Sequence, residues 1–148
     1  MQKLNLPEYE FRLKKKEDKL YIFDQLRKKF LLLTPEEWVR QNIIRYLIEE
    51  KGFPPGLIST ESGLKINLLR RRYDVLLYSK DKIPLLLVEC KAPKVTINQP
   101  VVDQIVAYNS KIRAPYMLIT NGIQHFFLKR NLTGTFEFLN YFPEFKEL

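Results

Sequence analysis

Two stretches decide the fold of this chain: Arg72-Tyr73-Asp74-Val75-Leu76-Leu77-Tyr78 and Pro84-Leu85-Leu86-Leu87-Val88-Glu89-Cys90-Lys91. Each is a short apolar run, and the polar Ser79-Lys80-Asp81-Lys82 between them reads as a turn. They are expected to form neighbouring antiparallel strands over 73–78 and 84–90. Leu85 to Val88 is apolar at every position rather than at alternate ones, which predicts a central strand covered on both faces. A strand has period two, so Glu89 and Lys91 emerge on one face and Cys90 on the other. A turn symmetric about Asp81 and Lys82 sets Asp74 opposite Glu89, and directly opposed residues hold their Cβ atoms about 5 Å apart. A slip of one residue would separate them.

Two carboxylates this close within apolar strands repel each other and lose hydration unless positive charge sits between them. A hard divalent cation fills that need; Mg²⁺ takes oxygen ligands and commonly uses one or two carboxylates with water and phosphate. Mn²⁺ suits the same oxygen donors. Lys91 has no place as a ligand while protonated, but it can orient a water or meet charge growing on a phosphate. Asp74, Glu89 and Lys91 thus read as a site for metal-assisted phosphodiester hydrolysis, with Asp74 and Glu89 on the metal. The plainer reading makes Glu89 and Lys91 a surface ion pair and Asp74 a strand-edge charge.

Outward from this pair, Thr34-Pro35-Glu36-Glu37 opens a helix over residues 35–50. Thr34 suits the N-cap, Pro35 the first turn, and Glu37 the third position of a capping box. Lys51-Gly52-Phe53-Pro54-Pro55-Gly56 ends it. Asn98 to Ile112 predicts a second helix, and Tyr116 to Thr120 a further strand. Asn121-Gly122 signals a two-residue hairpin, with Ile123 to Lys129 as the returning strand. Phe11–Lys16, Leu20–Phe23, Leu57–Ile58 and Leu64–Leu69 read as short strands. The aromatic-rich end, Phe136 to Phe145, is expected to pack on the sheet, with a dimer contact as the other option. Strands flanked by two helices give an α/β class with a mixed central sheet.

The chain has 148 residues, 45% of them hydrophobic, with one cysteine and one histidine. This suits a single domain over 1–148, with residues 1–30 as an N-terminal strand-bearing extension and 31–130 as the core. The composition excludes a disordered tail, and the lone cysteine excludes a disulfide framework or a cysteine-rich zinc site. No apolar run is long enough to span a bilayer and no secretory leader is visible, so a cytoplasmic protein without membrane contact is expected. His125 has no nucleophile motif near it, so a serine- or cysteine-hydrolase mechanism has no support. With 25 Lys and Arg against 17 Asp and Glu, the net charge is +8. An anionic partner, DNA foremost, is expected. Two basic runs stand out, Lys14-Lys15-Lys16 and Arg70-Arg71-Arg72. The first reads as a solvated surface. The second, just before Asp74, reads as DNA-binding.

Asp74 with Glu89-Cys90-Lys91 resembles the PD-(D/E)XK nuclease signature, with Tyr73 in place of the usual proline. An ordered series extends the likeness: Leu33 to Gln41, Arg72-Tyr73-Asp74, Val88 to Pro93, Gln104 to Asn109, and Ile119-Thr120-Asn121-Gly122. Over roughly residues 20–130 this series is similar to the N-terminal domain of type I restriction enzyme R subunits. The resemblance implies a restriction-endonuclease-like fold, a four-stranded mixed core sheet flanked by helices, Mg²⁺ dependence and DNA endonuclease activity. It also implies work with other restriction-system subunits or as a homodimer. Residue by residue, Asp74 and Glu89 match the metal-binding acids and Lys91 the catalytic lysine. Gln104 and Tyr108 match the family's Q-x-x-x-Y motif, and their i,i+4 spacing puts them on one helix face. Glu37 matches a helix-borne acid near such sites, although a capping role also accounts for it. Arg40 and Gln41, one turn on, are expected to meet phosphate or to orient Glu37. R subunits continue into an ATP-driven translocase, and this sequence holds no G-x-x-x-x-G-K-[ST] phosphate loop. A non-catalytic DNA-binding or assembly module on the same fold is therefore the alternative.

Overall fold

A computed structural model describes residues 1–60 and 73–148. The strand expected over Leu64–Leu69 and the arginines Arg70, Arg71 and Arg72 lie outside the described residues.

The chain opens with an antiparallel meander of β1 (Leu13–Lys16), β2 (Lys19–Asp24) and β3 (Lys29–Leu32). Glu17 and Asp18 join β1 to β2 with φ of 52° and 64°, the paired left-handed conformation of a two-residue hairpin turn. The third strand was not foreseen, because Lys29-Phe30-Leu31-Leu32 runs into the next helix without a breaker.

Helix α1 (Pro35–Glu49) begins as its sequence predicts, with the Thr34 hydroxyl accepting from the Glu37 N–H at 3.0 Å. Only half of the capping box forms. The Thr34 N–H donates to Leu32 O at 3.1 Å, and the Glu37 carboxylate turns elsewhere. Helix α2 (Gln99–Ile112) is capped by the Asn98 side chain, which accepts from the Val101 N–H at 3.1 Å.

The second sheet has six strands among the described residues: β4 (Ile58–Thr60), β5 (Val75–Tyr78), β6 (Pro84–Cys90), β7 (Tyr116–Thr120), β8 (His125–Arg130) and β9 (Phe136–Leu139), in that order. Only β6 and β7 run parallel, with α2 in the chain between them. The resemblance implies a four-stranded core; among the described residues β4, which overlaps the short strand expected at Leu57–Ile58, and β9 extend it at the two edges. The β7–β8 hairpin exists, but Thr120 pairs with His125, so its loop has four residues rather than two. The reason is Asn121, whose Oδ1 accepts from the N–H groups of Ile123 and Gln124 at 2.9 and 2.8 Å. That side-chain turn holds an open loop where a tight primed turn was expected.

The unbroken apolar run of β6 has a direct cause. Leu86 and Val88 enter a core under α1 with Val39, Ile43 and Leu47, while Leu87 enters a second core under α2 with Val102 and Ile105. Each such buried aliphatic side chain contributes about 1.5–3 kcal/mol through removal from water. The aromatic end packs as expected: Phe142 meets Tyr46 and Phe127 with ring centroids 5.2 and 5.1 Å apart, and Phe145 meets Phe53 at 5.2 Å. Among the described residues no helix is long and apolar enough to cross a membrane.

Candidate active site

The site lies where β5 begins and β6 ends. Val75 pairs with Val88, Leu76 with Leu87 and Leu77 with Leu86. This is the register expected from sequence, and it carries Asp74 on to a position opposite Glu89. The turn itself is not symmetric: the register shifts between Leu77 and Tyr78, and Tyr78 pairs with Pro84. That irregularity sits at the far end of the strands and leaves the acid end in place.

Asp74 is held from both sides. Its Oδ2 accepts from the Cys90 N–H at 2.7 Å, which pins it to the end of β6, and its Oδ1 accepts from Arg40 Nη2 at 2.8 Å. Arg40 in turn donates through Nη1 to Glu37 Oε1 at 2.5 Å and through Nη2 to Glu36 Oε2 at 3.1 Å. Gln41 Nε2 donates to Glu37 Oε2 at 2.9 Å and to Asp24 Oδ2 at 3.2 Å. Asp24 is buried at the end of β2, where its Oδ1 caps the turn by accepting from the N–H groups of Leu26 and Arg27 at 2.8 and 3.0 Å. Helical spacing of three and four residues puts Glu37, Arg40 and Gln41 on one face of α1. One run of hydrogen bonds therefore joins the meander, α1 and the acid pair, through Asp24, Gln41, Glu37, Arg40 and Asp74.

Burial raises the Glu89 carboxyl to about 8, helped by the charge of Asp74 and by the hydrogen bond the two acids share. Lys91 works in the opposite direction but does not overcome burial. Burial also disfavours the Arg40 charge, yet Asp74 and Glu37 outweigh it and hold the guanidinium above its ordinary value. The Cys90 thiol is fully buried and pushed up by burial and by Asp74, so it behaves as a small apolar neighbour.

Lys91 is half-buried just past β6, and its N–H donates to Thr120 O at 2.8 Å, fixing the strand end against β7. Asn121 Nδ2 donates to Val95 O at 2.9 Å and ties down the segment that follows. Thus Asp74, Glu89, Lys91, Glu37, Arg40 and Gln41 gather around the acid end of β5 and β6. Gln104 is exposed on α2, while Tyr108, one turn later, packs half-buried against the α2 core. Arg40 and Gln41 are buried and engaged with carboxylates. Of the two roles expected for them, the contacts are those of orienting Glu37. Asp24 was missed by sequence reasoning. Its signal was parity: it shares the inner face of β2 with Ile22, and a lone acid among apolar neighbours on such a face needs internal partners.

The donor set fits a hard divalent cation. Asp74 and Glu89 offer carboxylate oxygens side by side, and the raised Glu89 shows how little this pocket favours a second negative charge without added positive charge. The Asp74 oxygens each keep a lone pair beyond the bonds to Arg40 and Cys90. Among the described residues no group of three or more His, Cys, Asp or Glu side chains forms a metal cage. The remaining coordination would fall to water and substrate oxygen, as Mg²⁺ commonly has it.

Fold and site together define a restriction-endonuclease-like α/β domain with an acid pair at its sheet end. A family model for the type I restriction enzyme R protein N terminus (HSDR_N) matches residues 35–143, and the chain belongs to that family. A solved structure of similar fold is the fragment structure of a putative HsdR subunit of a type I restriction enzyme from Vibrio vulnificus YJ016. The two share 24% identity at a TM-score of 0.53, over 78% of this chain and 24% of that one. The matched region thus spans about a quarter of that fragment's length. No curated protein matches the sequence.

Proposed function

We propose that this domain is a Mg²⁺-dependent DNA endonuclease of the PD-(D/E)XK type, acting in a type I restriction system. One observation carries the reading. Asp74 and Glu89 stand opposed on neighbouring strands, with Lys91 two residues past Glu89 and a buried arginine bracing Asp74 from behind. A surface ion pair and a strand-edge charge do not require such bracing.

Asp74 and Glu89 would hold the cation, with Mn²⁺ as a substitute. When bound, a divalent cation lowers the pKa of a ligated water and offsets charge on the phosphoryl oxygens. The chain's own groups do the rest. Asp74 keeps its orientation because Arg40 and the Cys90 N–H hold both of its oxygens. Lys91 meets the phosphate charge and orients the attacking water. Glu37, set by Arg40 and Gln41, keeps Arg40 in line with Asp74. Gln104, exposed on α2, holds the substrate backbone, and Tyr108, packed against the α2 core, steadies that face of the helix.

The test is plasmid cleavage with Mg²⁺, Mn²⁺ or EDTA, alongside the variants Asp74→Ala, Glu89→Ala and Lys91→Ala. Cleavage is expected only with a divalent cation and only for wild type. Lys91→Arg should rescue little, because a planar guanidinium is differently shaped and does not give up a proton. Cleavage that persists in EDTA, or an Asp74→Ala variant as active as wild type, would show the active site to be elsewhere. A folded wild type that binds DNA but cleaves none would move the assignment to the non-catalytic binding module.

A further inference from the structure

The nuclease reading leaves the meander's own chemistry unused. Residues 12–29 carry eight Lys and Arg against three Asp and Glu, a net of +5 within a chain of +8. Asp24, one of the three acids, is buried and occupied internally. Glu17 and Asp18 sit in the turn at one end of the sheet.

The register sorts these charges by face. On β2, Ile22 and Asp24 are buried, so their side of the meander faces inward. Lys14 pairs with Tyr21, Lys16 with Lys19 and Phe23 with Phe30, which puts all six on the outward side. Arg12 joins them, since its O accepts from the Phe23 N–H at 2.9 Å and its guanidinium lies 4.6 Å from the Phe23 ring centre. Arg12, Lys14, Lys16 and Lys19 are all exposed.

Two features mark this face as built for an anion. Lys16 and Lys19 are direct cross-strand partners, an arrangement that repels in the free protein. The other two cations are held in place: Arg12 stands over both Phe23 and Phe30, and Lys14 Nζ lies 4.5 Å from the Phe30 ring centre. The rings are thus covered by cations rather than open to stacked bases. The chemistry displayed outward is a row of fixed positive charge.

We propose that the outward face of the β1–β3 meander is a phosphate-tracking surface, on which Arg12, Lys14, Lys16 and Lys19 hold the backbone of duplex DNA. This deepens the reading above by naming where the substrate is gripped. The Asp24–Gln41–Glu37–Arg40–Asp74 run keeps that grip in a fixed relation to the acid pair.

The experiment measures binding of a labelled, mixed-sequence duplex to the full chain in EDTA, across a range of salt, so that cleavage plays no part. Wild type is compared with the triple variant Lys14→Gln, Lys16→Gln, Lys19→Gln. Each lysine that meets a phosphate should take about 0.9 off the slope of log affinity against log salt, so the triple variant should lose about 2 to 3 and bind at least ~10-fold more weakly at low salt. These side chains are exposed and one repelling pair is removed, so the melting temperature should hold or rise. A folded variant with wild-type affinity and slope would overturn the proposal and leave the face to an acidic protein. A wild type that never cleaves but loses slope on the lysine changes would fail the nuclease reading and uphold this one.

Discussion

Arg40 is the residue on which the site turns. It is buried with three carboxylates around it, and two of them, Glu37 and Asp74, are largely buried as well. Sequence identified the carboxylates but left the role of Arg40 divided between phosphate and Glu37, because i,i+3 spacing to Glu37 says nothing about a strand residue 34 positions away. The same limit explains Glu37. Its position in the Thr34-x-x-Glu37 pattern correctly predicts the first half of a capping box. Burial beside Arg40 and Gln41 then outcompetes the second half. Removing one partner of a buried ion cluster leaves the others uncompensated, so Arg40→Met should cost about 3–5 kcal/mol of stability. Replacing Glu37 as well should return part of that loss. Denaturant unfolding of wild type, Arg40→Met, Glu37→Met and the double variant measures the coupling directly. Additive losses would mean that the two side chains do not act together.

At the scale of elements, the strands that carry the site were the most legible part of the chain. Leu85 to Val88 feed two cores at once, and only a central strand asks for that composition. Edges were harder to read. The meander's third strand and the outer strand β9 bury one side at most, so their sequences carry a weak pattern. The Asn121-Gly122 loop shows how a strong local signal yields to its surroundings. Gly122 has φ +85°, as a turn glycine does, yet a Cβ there would stand 2.7 Å from Leu4 Cδ2 and 3.1 Å from Val39 Cγ2. The glycine lets the N-terminal segment and α1 approach the loop closely. Gly122→Ala should therefore cost about 1–3 kcal/mol, from left-handed strain and overpacking together. Pairing it with Leu4→Ala should give less than the sum of the two losses, measured by thermal unfolding. A neutral Gly122→Ala would mean that the loop is free to move away from α1.

Across the whole molecule, the N-terminal segment works as a strap over the sheet. Gln2 O accepts from Trp38 Nε1 at 2.8 Å, the Asn5 N–H donates to Gly122 O at 2.8 Å, and Leu4 is buried in the α1 core. Sequence set His125 aside for want of a nucleophile motif near it, and its use as the strap's buckle depends on a residue 120 positions away. Its Nε2–H donates to Asn5 O at 2.9 Å, so its Nδ1 is the acceptor for the Thr120 hydroxyl at 2.7 Å. Thr120 Oγ1 already accepts from the Gly122 N–H at 2.9 Å. Protonating Nδ1 would turn the Thr120 hydroxyl away from its acceptor inside a buried site. Burial lowers the His125 pKa below its ordinary value, although the Asn5 bond opposes this. Lys3, which lines the same cleft, adds no negative charge to favour the imidazolium. The sign then follows. Between the lowered folded value and about 6.5 the unfolded chain binds more protons than the folded one, so stability rises with pH through that window and falls on acidification. One histidine contributes at most about 1.4 kcal/mol per pH unit there. Glu89, raised by burial, tilts stability the opposite way as pH rises toward 8, so the measurement compares variants rather than absolute slopes. His125→Gln keeps a donor for Asn5 O and does not titrate. Its unfolding midpoint should fall less than that of wild type between neutral pH and pH about 5. The N-terminal amides should also lose less protection from hydrogen exchange over the same range. Equal pH slopes in wild type and His125→Gln would mean that the strap does not depend on a neutral imidazole.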